Sequence, residues 1–260
     1  MGAGQEGSLS AANIQKSLIS DKAAKRGEPS YVWRAGQERR LELIRRWSSG
    51  CERGRVLENG CGVGEYLAQL SEEAAFAVGM DIEFPRLVAA KQKNRNLVCA
   101  VGEALPFKRN LFDLVLSNEV IEHVQDDRQA IAECLAVLTE GGRLALFCPN
   151  RGYPFETHGI YVKGEYRFGN KLLVNYLPKK WRNRLVPHVR AYSREDLNRL
   201  FSGLPVTVVF STIIFGAFDN IIQRQPAIGK LIRAVMQSLE KTPLKFFGLS
   251  HFLVAEKKIL

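Results

Sequence analysis

The chain has 260 residues, 46% of them hydrophobic and 25% charged, the balance of an ordinary globular protein. That length suits one large α/β domain, or one domain carrying an insertion, and is cramped for two full domains. No apolar run reaches the eighteen or so residues that a membrane-spanning helix requires. The most apolar run, from Leu204 to Phe218, is broken by Pro205, Ser211, Thr212 and Gly216 and reads as a buried strand. The N-terminus has no basic stretch leading into an apolar one, and Glu6 stands where an acylation signal wants Ser or Thr. Five scattered cysteines without a C-x-x-C pair predict reduced thiols in a cytoplasmic protein, with neither a disulfide framework nor a zinc site.

The net charge of +10 is local. Between Val56 and Asn150 there are 8 Lys and Arg against 14 Asp and Glu, whereas between Tyr161 and Leu200 there are 10 against 3. Such a basic segment suits phosphates, anionic headgroups or nucleic acid, and equally a solvated surface.

In chain order, residues 1 to 30 mix Gly, Ser, Ala and Gln and predict a flexible N-terminal arm, with a short helix around Ala11–Ser20. Leu41, Ile44 and Trp47 at helical spacing predict an amphipathic helix over Gln37–Trp47. From Arg55 strands and helices alternate. Strands are expected at Arg55–Glu58, Ala75–Met80, Leu97–Val101, Phe112–Ser117 and Arg143–Cys148, the last entered through Gly141-Gly142. Helices are expected at Val63–Leu70, from Pro85 to about Lys93, and from an Asp126 cap through Leu138. This rhythm implies a parallel, doubly wound sheet. Residues 151–190 show no clean strand. The alternation resumes with a Ser193-capped helix to Phe201, a strand from Val206 to about Ile214, a helical stretch from about Ile221 to Leu239 and a strand over Ser250–Val254.

A strand, a glycine turn and a helix form a nucleotide-binding architecture, because glycine lets the backbone approach the ligand and the helix start offers unpaired N–H groups. Here the turn is Glu58-Asn59-Gly60-Cys61-Gly62-Val63-Gly64. Its G-x-G-x-G spacing, with Glu65 where a dinucleotide fingerprint has its last glycine, disfavours NAD, and no Gly-Lys-Ser/Thr follows to make a P-loop. Asp81 ends the second strand about twenty residues on, where a carboxylate accepts ribose hydroxyls; a helix N-cap is the alternative reading.

VLENGCGVGEYL, VGMDI, EALPF, FDLVLSNEVIEHV and LTEGGRLALFCPN, in this order from Val56 to Asn150, resemble the successive motifs of class I S-adenosylmethionine (SAM)-dependent methyltransferases of the "methyltransferase 11" type. The resemblance implies a Rossmann-like seven-stranded sheet with its last strand antiparallel. Residues 31–260 would form one domain, with 151–192 as a substrate-covering insertion between strands 5 and 6. It implies a SAM site of Glu58, Gly60, Cys61, Gly62, Asp81, Ile82, Gly102, Glu103 and Asn118. Glu58 anchors the turn near the methionine moiety, Asp81 holds the ribose and Ile82 packs on the adenine. One departure is Val101, where the family has an Asp that accepts from the adenine amino group; valine cannot. Asn59 is a second, at a position the family fills with a small or apolar residue.

For the chemistry, His123 and His158 are the candidate general bases, His123 with a structural alternative. Glu119, Glu122 and His123 resemble the divalent-cation segment of ubiquinone-biosynthesis O-methyltransferases, which implies Mg²⁺. Tyr153 and Phe155 are candidate apolar walls, and Glu156 a polar group, of a substrate pocket that His188 also lines. The expected function is methyl transfer to a hydroxyl of a quinone, glycolipid, sugar or related small molecule. The basic, aromatic stretch Tyr176–Leu185 suits an anionic or lipid-linked substrate and peripheral membrane contact, or a helix simply packed on the domain. Nucleic-acid methylation is the rival, disfavoured because Ser117-Asn118-Glu119-Val120 replaces the Asn/Asp-Pro-Pro-Tyr motif. A non-catalytic SAM-binding protein is the third reading.

Overall fold

The computed structural model describes residues 32–259; the expected arm and its short helix lie outside them. The first described helix, Ala35–Trp47, buries Leu41 and Ile44 and leaves Arg46 exposed. Strand β1, Arg55–Asn59, follows, buried from Val56 onward. Strands β2 (Phe76–Asp81), β3 (Leu97–Cys99), β4 (Phe112–Asn118) and β5 (Leu138–Pro149) then alternate with the helices Glu65–Ser71, Phe84–Ala90 and Asp127–Val137. Each helix carries one apolar face, so the sheet between them is covered on both sides.

Two strands complete the sheet after the insertion, β10 (Val206–Ile214) and β11 (Ser250–Lys257). The strand order is β10-β11-β5-β4-β1-β2-β3. β1 to β5 pair in parallel, and β11 runs antiparallel between β5 and β10. This is the seven-stranded mixed sheet expected from the sequence. One core packs Leu57, Val115, Leu146 and Leu253 with Ile131, Leu135 and Leu197. The other packs Leu41 and Ile44 with Leu116, Phe147 and Phe252, the last two stacked 4.4 Å apart. Asp126 and Ser193 both cap as expected, accepting N–H from Gln129 and Asp196.

Several elements differ from the expected bounds; β3, for one, ends at Cys99 and not at Val101. β5 begins at Leu138, before the glycine pair: Thr139 Oγ1 donates to the Phe112 carbonyl, and Gly141 takes a positive φ of 75° inside an irregular strand. The helical stretch after β10 splits at Gln225 into Asp219–Arg224 and Pro226–Leu239, because Pro226 opens a new first turn. The insertion holds four short strands, β6 (Phe155–Glu156) paired with β9 (Lys171–Leu172), and β7 (Ile160–Val162) paired with β8 (Glu165–Arg167). At two or three residues each, they are too short to show a period of two.

Candidate active site

The carboxyl ends of β1, β4 and β5 open into a cavity of about 560 Å³, the place where open α/β sheets bind ligands. At the end of β1 the chain reverses. The N–H groups of Gly60 and Cys61 both donate to the Met80 carbonyl, at 2.7 and 2.8 Å. Gly60 has a φ of 80°, and a Cβ there would meet Val120 Cγ2 at 2.3 Å, so only glycine fits. Asp81 Oδ2 accepts the Gly62 N–H at 2.8 Å and Oδ1 accepts that of Glu83. Asp81 therefore fixes the turn; Glu83, not Asp81, is the N-cap of the helix Phe84–Ala90.

Glu58 lies buried at the cavity floor, and its Oε2 has no hydrogen-bond partner. Burial, and then the Asp81 charge, push its carboxyl well above the usual range. A buried, unsatisfied acceptor beneath a backbone cradle fits a ligand carrying a cationic group, as SAM does in its ammonium and sulfonium. Gly60, Cys61 and Gly62 line the same cavity with Asn118. Asp81, Ile82, Gly102 and Glu103 do not line it and stand beyond the turn. There the Ala100 N–H donates to the Asp81 carbonyl, bringing the exposed Ile82 and Val101 onto adjacent paired segments. Glu103 accepts the Gln125 N–H at 2.6 Å and ties two loops together. Asn59 is buried, donates to Cys134 Sγ and supports Gly102 from below.

The most conspicuous group that sequence reading missed is Arg40. It reaches in from the first helix, donating to Asn118 Oδ1 at 2.6 Å, Glu119 Oε1 at 2.9 Å and Ser250 Oγ at 2.9 Å, while its guanidinium lies over the Phe147 ring. Its signal in the sequence was faint: one arginine of several on an amphipathic helix. Glu119 adopts the left-handed φ of 56° to meet it. Burial opposes ionisation of Glu119, but Arg40, the Ser250 hydrogen bond and the nearby Glu122 carboxyl together outweigh it and hold the carboxyl below the usual range. Glu122 is buried with no partner on either oxygen, and burial followed by the Glu119 charge raises its pKa well above the ordinary value.

These positions correct the divalent-cation expectation for Glu119, Glu122 and His123. Glu119 and His123 line the cavity, but Glu119 is committed to Arg40, Glu122 lies outside the lining and His123 Nε2 stands 3.9 Å from Glu122 Oε1. Among the described residues, no three His, Cys, Asp or Glu side chains are arranged to hold a metal ion.

The second histidine is better placed. His158 faces the cavity from the insertion, its ring centroid 5.8 Å from that of His123. Its Nδ1 and its backbone N–H both stand 3.0 Å from Glu156 Oε1. The other carboxylate oxygen of Glu156 accepts from Arg182 at 2.6 Å. Burial disfavours the Glu156 carboxylate, yet the His158 hydrogen bond and Arg182 together hold its pKa below the usual range. An ionised Glu156 keeps the proton on Nδ1 and leaves Nε2 as the basic nitrogen. His188 is not a lining residue. Its Nε2 and the Tyr166 hydroxyl both donate to the His158 carbonyl, at 3.0 and 2.7 Å, so it fixes the His158 backbone. Tyr153 and Phe155, with ring centroids 5.8 Å apart, line the cavity as expected.

The fold and the glycine turn are similar to those of the class I SAM-dependent methyltransferases. Residues 57–146 match the methyltransferase domain family. The chain is 32% identical over 130 residues to a ubiquinone biosynthesis O-methyltransferase of Coxiella burnetii, a match covering 48% of this chain and 53% of that protein. It is 30% identical over 115 residues to a demethylmenaquinone methyltransferase of Corynebacterium urealyticum, covering 44% and 47%. The chain thus spans about half the length of the curated relatives it matches. A crystal structure of a SAM-dependent methyltransferase from Mesorhizobium loti superposes with a TM-score of 0.59 at 15% identity, covering 86% of this chain and 98% of that one. The [4+2]-cyclase SpnF superposes with a TM-score of 0.57 at 17% identity, covering 95% and 93%. A fold shared with a cyclase does not by itself name a reaction.

Proposed function

We infer that this chain catalyses SAM-dependent methyl transfer to a hydroxyl of a small, ring-containing acceptor of the quinol kind. The observation that carries the reading is the Arg182–Glu156–His158 relay, which brings a basic imidazole nitrogen to the same cavity as the glycine turn and Glu58. When bound, SAM supplies an electrophilic methyl group on a sulfonium. Glu58, Gly60 and Gly62 would cradle the methionine end, Arg40 would meet its carboxylate, and Asp81 the ribose hydroxyls. Ile82 and Val101 would flank the adenine with apolar surface in place of a polar contact.

His158 would take the acceptor's hydroxyl proton on Nε2 as the new C–O bond forms, and the Glu156 carboxylate would stabilise the resulting imidazolium. Tyr153 and Phe155 would hold a flat ring in line with the methyl group, an orientation worth several orders of magnitude in rate. The names of the quinone-modifying relatives support the acceptor class, and the aromatic walls agree with it.

The test is transfer of label from SAM to a panel of catechols, phenols and quinols. His158→Gln should lower kcat by about 10²–10⁴-fold with binding of S-adenosylhomocysteine unchanged. Full turnover by His158→Gln would remove His158 as the base.

A further inference from the structure

The segment between β10 and β11 carries an apolar surface that the proposed reaction does not use. Helix Pro226–Leu239 is apolar on two faces. Its inner face is fixed by Gly229, which is buried so closely on the preceding helix that a Cβ would lie 2.6 Å from the Ile222 backbone. The helix therefore cannot roll to hide its outer face. Ile228, Leu231 and Val235, spaced by three and four residues, stand there 53%, 66% and 46% exposed. Leu244, Phe246 and Phe247 on the following turn are exposed as well.

The segment that carries this face is basic. Arg224, Lys230 and Lys241 are exposed, and Arg233 and Lys245 half-buried. From Asn220 to Gly248 the one acidic residue is Glu240, and its carboxylate is spent on the Arg39 guanidinium and the Phe215 N–H. An apolar stripe in a segment rich in basic side chains, its one carboxylate already engaged, complements an anionic bilayer, into which the stripe sinks while Lys and Arg of the segment meet the headgroups. The same charge opposes self-association, because two copies joined through this face would bring like charges together.

The location adds to this. Phe215, Gly216, Ala217 and Asp219, which enter the segment, and Leu249 and Ser250, which leave it, all line the cavity. Asn150 Nδ2 donates to the Phe246 and Gly248 carbonyls, both at 2.7 Å, tying the segment to the end of β5. We propose that the outer face of Pro226–Phe247 docks on an anionic membrane surface and sets the cavity mouth against the lipid. Resting on the methyl-transfer reading above, the acceptor is then a membrane-partitioned molecule carrying an apolar tail.

The test is co-sedimentation of the full chain with phosphatidylcholine vesicles, with and without phosphatidylglycerol, and no acceptor present. Binding should require phosphatidylglycerol, weaken as salt rises, and fall about tenfold or more in Leu231→Glu/Val235→Glu. A separate thermal-shift assay with S-adenosylhomocysteine checks that the variant is folded and tests the cofactor reading independently of docking. Three results would overturn docking: no binding dependent on phosphatidylglycerol, equal binding by the variant, or a dimer that the variant converts to monomer.

Discussion

Glu122 shows how one buried carboxyl can set the pH response of the site. Its pKa is raised above the ordinary 4.5 by burial and by the Glu119 charge. As pH rises through the ordinary value, the unfolded chain releases this proton while the folded chain keeps it, so Glu122 subtracts stability up to its folded pKa. Glu122→Gln removes that subtraction without changing shape. The variant should melt higher than the parent at pH 7, and the difference should close by about pH 4, where both states are protonated. Calorimetry at the two pH values checks it; a lower melting temperature at pH 7 would mean that Glu122 is ionised in the fold. Glu122 was read in the sequence as a metal ligand, and its burial outside the cavity lining was not legible there. Its protonation depends on Arg40, a residue 82 positions earlier in the chain, having neutralised Glu119 and not Glu122.

At the scale of elements, the glycine turn could be read directly because its constraints are local. Positive φ at Gly60 and Gly62 and a carboxylate at the end of the next strand leave a fixed spacing in the chain. The insertion could not be read in the same way. Its order comes from side-chain bonds between segments far apart, above all Glu156 with Arg182, 26 residues on, and Asn175 with Arg182 and the Tyr153 and Phe155 carbonyls. No periodicity announces such a network, and both the support behind His158 and the part played by His188 went unread. Glu156→Gln would leave the Arg182 guanidinium buried without a counter-charge, at a cost of about 3–5 kcal/mol. Because the folded pKa of Glu156 is depressed, its contribution is present above the ordinary carboxylate value and lost as pH falls through the folded one. The melting temperature of the variant should therefore fall most at neutral pH and approach that of the parent in acid. A uniform drop would show that the pair does not carry the stability of the insertion.

For the whole molecule, the sheet order followed from the strand and helix rhythm and the motif resemblance, and the sheet places the glycine turn, Arg40 and the insertion around one cavity. Among the described residues no helix is long and apolar enough to cross a membrane. The basic segment had drawn attention to residues 161–200. There Arg182 and Arg190 are engaged inward, with Glu156, Asn175 and the Val124 and Gln125 carbonyls. A count of charges cannot separate cations that build an insertion from cations that face solvent.

We propose that the turn at Glu58–Gly64, with Asp81, binds SAM. The most direct test is thermal denaturation with S-adenosylhomocysteine at about one hundred times its Kd, which should stabilise the fold by about 2.7 kcal/mol. The melting temperature should rise by about 5 °C or more, with the rise abolished in Asp81→Ala. No rise at millimolar ligand, or an equal rise in Asp81→Ala, would contradict the account.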